Sequence, residues 1–196
     1  MKRKVKRHIF KARRIIYQET LVDFQEHLWT FIGAFLGIAV IGWLNSNLAP
    51  IDNLFLIGSF GASSVLIYGI INSPLAQPRN LIGGHVICAF TGVLVHKVVP
   101  GDVWLTSALS VALSIVFMQI TKTLHPPGGA TALIANIGSA KIQALGFWYV
   151  LSPVLSGVLI LFFVAMLCNN ATPHRSYPKN KHWYKVWKRK YLKQKV

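Results

Sequence analysis

The chain has 196 residues, 53% of them hydrophobic and only 13% charged, with a formal net charge of +16. That composition excludes an ordinary soluble domain and allows about six short membrane spans. Eight of the 21 Lys and Arg lie between Lys2 and Arg14 and nine between Arg175 and Lys195, leaving Arg79, Lys97, Lys122 and Lys141 for the middle. Basic clusters beside spans place both termini on the cytoplasmic side and rest on anionic lipid headgroups, at about 1 kcal/mol per basic residue near the surface. The apolar middle argues against nucleic acid as the partner of that charge.

Residues 1–27 read as a basic arm followed by an interfacial helix, Ile15 to His27, with Glu19, Asp23 and Glu26 on its wet side. Those acids interrupt the apolar core that a cleavable signal needs, so none is expected. A first span follows from Leu28 to Leu44, in which Gly33 and Gly37 form a G-x-x-x-G face expected to pack inside the chain. After a polar turn, Leu54 to Ile71 forms a second apolar run broken by Gly58 to Ser64. Ser73 to Asn80 is irregular, with two prolines and Arg79, which either snorkels to phosphate or faces the site.

The third span, Leu81 to Val98, carries Gly84, Cys88, Gly92 and His96 in an i, i+4 series beside His85 and Ala89. A stripe this small means that another helix or a substrate comes close. Val103 to Thr121 is the fourth span, with Ser107, Ser110 and Ser114 as small polar packing positions. Trp148 to Leu167 is the last, and residues 169–196 read as a basic, aromatic tail with Trp183, Trp187 and Tyr191 at four-residue spacing. Cys88 and Cys168 are isolated, and the histidines lack carboxylate or thiolate neighbours at ligand spacing, so neither a metal nor another cofactor is expected.

The stretch from Leu124 to Leu133 cannot be ordinary membrane helix. Pro126 and Pro127 remove two backbone donors and push His125 and Pro126 out of the α region. Pro127 suits a first helical position, which would leave the amides of Gly129, Ala130 and Thr131 unpaired. Irregular backbone at membrane depth is tolerated only where protein buries it or water solvates it, so this half-helix marks a pathway or a buried site; the alternative is a plain turn at the membrane surface.

Gly61-Ala62-Ser63-Ser64-Val65-Leu66 and Gly129-Ala130-Thr131-Ala132-Leu133-Ile134 share one small-small-hydroxyl-small-aliphatic-aliphatic pattern. The fold expected is therefore an all-α membrane bundle of two three-segment repeats, residues 28–98 and 103–168 within a transmembrane domain of 28–168, with broken helices at the repeat interface. Six crossings with an inverted second copy, and four with segments two and five re-entrant, both put the termini on one side; six is favoured.

Several of these motifs, in order, resemble the HPP family of integral membrane proteins, named for its His-Pro-Pro motif: Phe60-Gly61-Ala62-Ser63, Ser73 through Asn80, Gly83-Gly84-His85, His125 through Leu133, and Asn169-Asn170. The resemblance covers residues 28–178. It implies a domain usually described with four spans, sometimes fused to regulatory CBS domains, for which this chain has no room. It also implies a role in nitrite transport, as in cyanobacteria and chloroplasts, and hence a bacterial inner membrane or plastid envelope.

A small monovalent anion at mid-membrane costs several kcal/mol, and one helix N-terminus returns about 0.3–1 kcal/mol, at best about 2. The candidate site therefore pools both motif copies: His125, Pro126, Pro127, Gly128, Gly129 and Thr131 with Gly61, Ser63 and Ser64, plus positive charge from Arg79, His85 or His125. An interior-negative potential of 100 mV opposes entry of one anion by about 2.3 kcal/mol, so passive conduction favours exit unless the gradient is steep, and uptake then wants a proton, for which His85 and His125 are the candidate carriers. Paired carboxylates, an activated nucleophile and clustered ligands are missing from the pattern, so no enzyme is expected. A structural or partner-binding membrane protein is the alternative, and assembly into homo-oligomers is left open.

Overall fold

A computed structural model describes residues 24–48 and 57–179. The basic arm, the interfacial helix up to residue 23 and the aromatic tail from residue 180 lie outside the described residues. Helix α1 (Phe24–Leu48) buries Gly33, Gly37, Ile41 and Asn45, one stripe at four-residue spacing, and leaves Phe31, Phe35 and Trp43 exposed. Helix α2 (Gly58–Ser64) continues as a π-helical turn, Val65–Gly69, and a 3-10 turn at Pro74–Ala76 leads into α3 (Pro78–Val98). Pro78 stands at the first helical position, where its fixed φ suits the entry and no amide is wasted.

Helix α4 (Val103–Thr121) ends at Lys122 in the left-handed region, φ 57°. Helix α5 (Pro126–Ile137), a short α6 (Ala140–Ala144) and a π-helical stretch, Val150–Leu155, interrupted at Ser152, lead to α7 (Ser156–Cys168). No strand occurs among the described residues.

Polarity is inverted relative to a water-soluble bundle. On α4 the buried residues are Thr106, Ser107, Ser110, Ser114 and Met118, while Trp104, Leu105, Ile115, Val116, Phe117 and Ile120 face outward. Large apolar side chains outside and hydroxyls inside are what lipid as solvent selects. Four helical stretches among the described residues are long and apolar enough to cross a membrane: Phe24–Asn47, Pro78–Val98, Val103–Thr121 and Val150–Cys168.

The two shorter helices lie between them. Twelve helical residues rise about 18 Å, little more than half of a hydrocarbon core of about 30 Å. Segment Gly58–Gly69 runs from Phe60, packed on Gly157 of α7, to Tyr68, whose carbonyl accepts from Thr30 and Arg175 at the end where the chain enters α1 and leaves α7. Helix α5 runs the other way: His125 sits on Gly84 of α3 and Ala132 on Gly92, two turns farther along α3.

That α3–α5 seam explains the small stripe on the third span. A Cβ on Gly84 would lie 2.9 Å from the Thr123 carbonyl oxygen, and one on Gly92 would lie 2.5 Å from the Ala132 carbonyl oxygen and 2.9 Å from its Cα. Backbone approaches backbone there, so no side chain can swing aside. Gly33 and Gly37 likewise face Tyr68 of the same chain, in keeping with internal packing.

Within the stretch read as a basic, aromatic tail, residues 175 and 177 bond to the bundle. Arg175 is buried, donates to the Tyr68 carbonyl at 2.6 Å and lies 3.5 Å from the Glu26 carboxylate. Tyr177 donates its hydroxyl to the Ala76 carbonyl at 2.8 Å.

Replacing Gly92 by Ala is expected to destabilise the bundle by about 1–3 kcal/mol through overpacking, read as a lower thermal midpoint in detergent. Gly42→Ala, where a Cβ meets nothing within 4 Å, is expected to leave the midpoint unchanged.

Candidate functional site

The inner faces of α2, α3 and α5 converge on a polar cluster with no solvent exposure at Ser59, Ser63, His85, His125 or Thr131. His85 reaches it from the third turn of α3. Its Nε2 lies 2.7 Å from Ser63 Oγ and its Nδ1 lies 2.7 Å from Thr131 Oγ1. The hydroxyls at the matching positions of the two motif copies thus hold the two nitrogens of one imidazole. Thr131 Oγ1 is also 2.9 Å from Ser59 Oγ.

His125 stands extended before α5, with φ −143° and ψ 101°, because Pro126 follows it. Its Nε2 lies 2.9 Å from the same Ser63 Oγ, and its Nδ1 donates to the Leu75 carbonyl at 2.8 Å. The two rings are 4.9 Å apart between centroids and tilted by 55°, and Phe60 meets His85 edge-on at 5.7 Å. Tyr149, buried just before the π-helical stretch, donates its hydroxyl to the Thr131 carbonyl at 3.0 Å.

Electrostatically the cluster is bare of acid. Glu26 and Asp102, the two acids among the described residues, lie at the ends of the bundle, beside Arg175 and at the start of α4. A positive charge gained here would therefore meet no carboxylate, and desolvation would make it costly without an anion. Among the described residues no three His, Cys, Asp or Glu side chains gather to hold a metal ion.

Several expected site residues stand elsewhere. Gly61 is exposed and nothing lies within 4 Å of its would-be Cβ. It is two residues from Ser63, about 200° around the helix, and so faces away. Ser64 is buried, but its Oγ has no hydrogen-bond partner. Arg79 donates to the Thr121 carbonyl at 2.8 Å, closing the exposed end of α4 rather than facing the cluster.

The expectation of bare amides also changes form. Helix α5 begins at Pro126, one residue earlier than expected, so its first two positions have no N–H at all, and Gly128 donates to the His125 carbonyl at 2.8 Å. Three of the four orphan donors of a helix N-terminus, those at positions 126 to 128, are thereby removed or satisfied, which lowers the cost of burying this one. Ser63 likewise lies inside α2 rather than at its beginning. Pro126 to Gly129 shape the entry, and Gly128 packs against Cys88 and Gly84. The polar contacts come from imidazoles and hydroxyls.

Ser59, Tyr149 and the Leu75 carbonyl escaped the sequence reading. Ser59 was open to inference, since it precedes Ser63 by one helical turn on the same face. The other two are tertiary contacts without a local signal.

A closed polar cluster where two oppositely directed half-helices meet, inside a bundle with lipid-facing apolar surfaces, defines a polytopic α-helical integral membrane protein of the broken-helix kind. The model of the HPP transmembrane region matches residues 19–178, and the chain belongs to that family. Two transmembrane proteins of Dictyostelium discoideum are similar to it, at 42% and 43% identity over 160 residues. Each alignment covers 80% of this chain and 51% or 56% of the relative, so the chain spans about half the length of the curated relatives it matches. No solved structure matches.

His125→Ala is expected to leave the Ser63 hydroxyl and the Leu75 carbonyl short of a partner, at about 1–3 kcal/mol for the buried hydroxyl and less for the part-buried carbonyl. The thermal midpoint in detergent should fall more than for Arg79→Gln, which frees only the exposed Thr121 carbonyl.

Proposed function

We propose that this chain moves a small monovalent anion, nitrite foremost, across the membrane together with a proton. The observation that carries the reading is the acid-free pair of buried imidazoles, His85 and His125, joined through Ser63. A proton on that pair supplies one positive charge, the complement of one monovalent anion, and the two enter the low-dielectric interior as a neutral combination. Desolvation of each ion alone costs several kcal/mol, which the mutual attraction offsets. Hydroxyls of Ser59, Ser63 and Thr131 are the neutral donors that then contact the anion, in place of helix amides.

On this reading the segments form two inverted three-segment units, with α2 and α5 as their equivalent half-helices and the basic tails toward the cytoplasm. The opposite directions of α2 and α5 support it, as does the shared attachment of Ser63 and Thr131 to His85. Proton entry with the anion also cancels the charge that the membrane potential would otherwise oppose.

The pairing of all four imidazole nitrogens within the protein favours one other reading, a non-transporting scaffold with a rigid polar core. Flux separates them. Purified protein in liposomes is expected to take up nitrite faster as the outside is acidified, and His85→Gln and His125→Gln to reduce uptake at least tenfold while Arg79→Gln retains most of it. Folded protein in inert liposomes would establish the scaffold, and flux indifferent to pH and to both histidine variants would remove the imidazoles from the mechanism.

A further inference from the structure

The hydrogen bonds around the imidazole pair have a polarity that can be worked out from one end. A carbonyl oxygen only accepts, so the contact between His125 Nδ1 and the Leu75 carbonyl oxygen requires an N–H on Nδ1. In a neutral ring Nε2 is then a lone pair, and the 2.9 Å contact makes Ser63 its donor. Ser63 has a single proton, so its 2.7 Å contact with His85 Nε2 must be donated by His85. His85 Nδ1 is then a lone pair, which Thr131 serves only if its hydroxyl turns away from Ser59, to which it donates at 2.9 Å in the structure. The neutral cluster thus holds the two histidines in opposite tautomers.

With Thr131 donating to Ser59, as it does in the structure, all five contacts are made together only when the pair carries one extra proton, on His85 Nδ1. From there His85 Nε2 can pass its proton to Ser63 Oγ while Ser63 passes its own to His125 Nε2, over 2.7 and 2.9 Å. Ser63 ends with one proton, as it began, and the charge has moved from α3 to the head of α5. A second proton would set both Nε2–H groups against Ser63 Oγ, leave the Ser63 hydroxyl without either imidazole as acceptor, and place two cations 4.9 Å apart.

The surroundings do not disturb that count. Helix α3 adds Cys88 one turn on and Arg79 toward its exposed start, the segment before α7 adds Tyr149, and the Ser73–Gln77 turn is topped by Tyr177. On the far face of the α2 segment, Tyr68 donates to the Leu161 carbonyl. No carboxylate faces the pair among the described residues.

From this we infer that His85, Ser63 and His125 form a binding site for one proton, with Ser63 as the relay between the rings. The inference rests on the proposed function only in giving the proton a task, and its test reads protonation rather than flux. The full chain, labelled with 15N-histidine, is placed in phosphatidylcholine liposomes for solid-state NMR, with His85→Gln and His125→Gln assigning the signals. At alkaline pH, His125 is expected as the Nδ1–H form and His85 as the Nε2–H form. On acidification one proton per chain should enter, averaged over both rings. Ser63→Ala is expected to confine that proton to one ring, and Ser63→Thr to restore sharing.

Identical tautomers on the two rings, uptake of two protons, or a Ser63→Ala protein that still shares the proton would each overturn the inference. A pair that titrates as described in protein that moves no anion would sustain the inference and remove the transport reading.

Discussion

The bond from His125 to the Leu75 carbonyl is the constraint from which the rest of the site follows. It orients a ring that Pro126 has already forced out of helical geometry, and it leaves that ring's other nitrogen only Ser63 to meet. The Ser73–Gln77 turn exists to present that carbonyl. Ser73 caps the turn through the Leu75 amide, and Gln77 ties it by donating to the Ile71 and Ser73 carbonyls. Asn80 adds a second clamp by donating to the Leu124 carbonyl at 2.7 Å, next to His125.

Around that clamp the fold solves a problem particular to lipid, where an irregular segment must satisfy its own backbone. The proline pair at the head of α5 does so by deletion, because two of the donors a helix start normally exposes are not there. Glycines do the complementary work across the seam: Gly84, Gly92 and Gly128 let α3 and α5 approach until backbone touches backbone. Burial of polar groups then comes at low cost, since each imidazole nitrogen faces an oxygen within 2.9 Å.

Much of this was legible from local chemistry. Apolar runs bounded by Trp, Pro and Gly gave the long spans, and the His-Pro-Pro-Gly-Gly stretch betrayed a helix start away from the surface. The matched Ser63 and Thr131 pointed to a shared site, and they share His85. What the residues could not disclose was rotational phase. Gly61 and Ser63 sit in one motif, yet the helix turns them to opposite sides. Arg79 illustrates the same limit, since a cation at a helix start can serve a neighbouring helix end as readily as a buried site. The role of residues 169–179 was obscured by charge, because Arg175 belongs in composition to the basic tail and in space to the carbonyls of the interior.

One consequence lies in the neighbouring carbonyls of Leu75 and Ala76. The first is taken by an imidazole from the interior and the second by the phenol of Tyr177 from the segment that leaves the bundle. Successive peptide planes are hinged at a single α-carbon, so the torsions there set the angle between the two oxygens. That carbon therefore ties the exit segment and a ring deep inside to one backbone hinge.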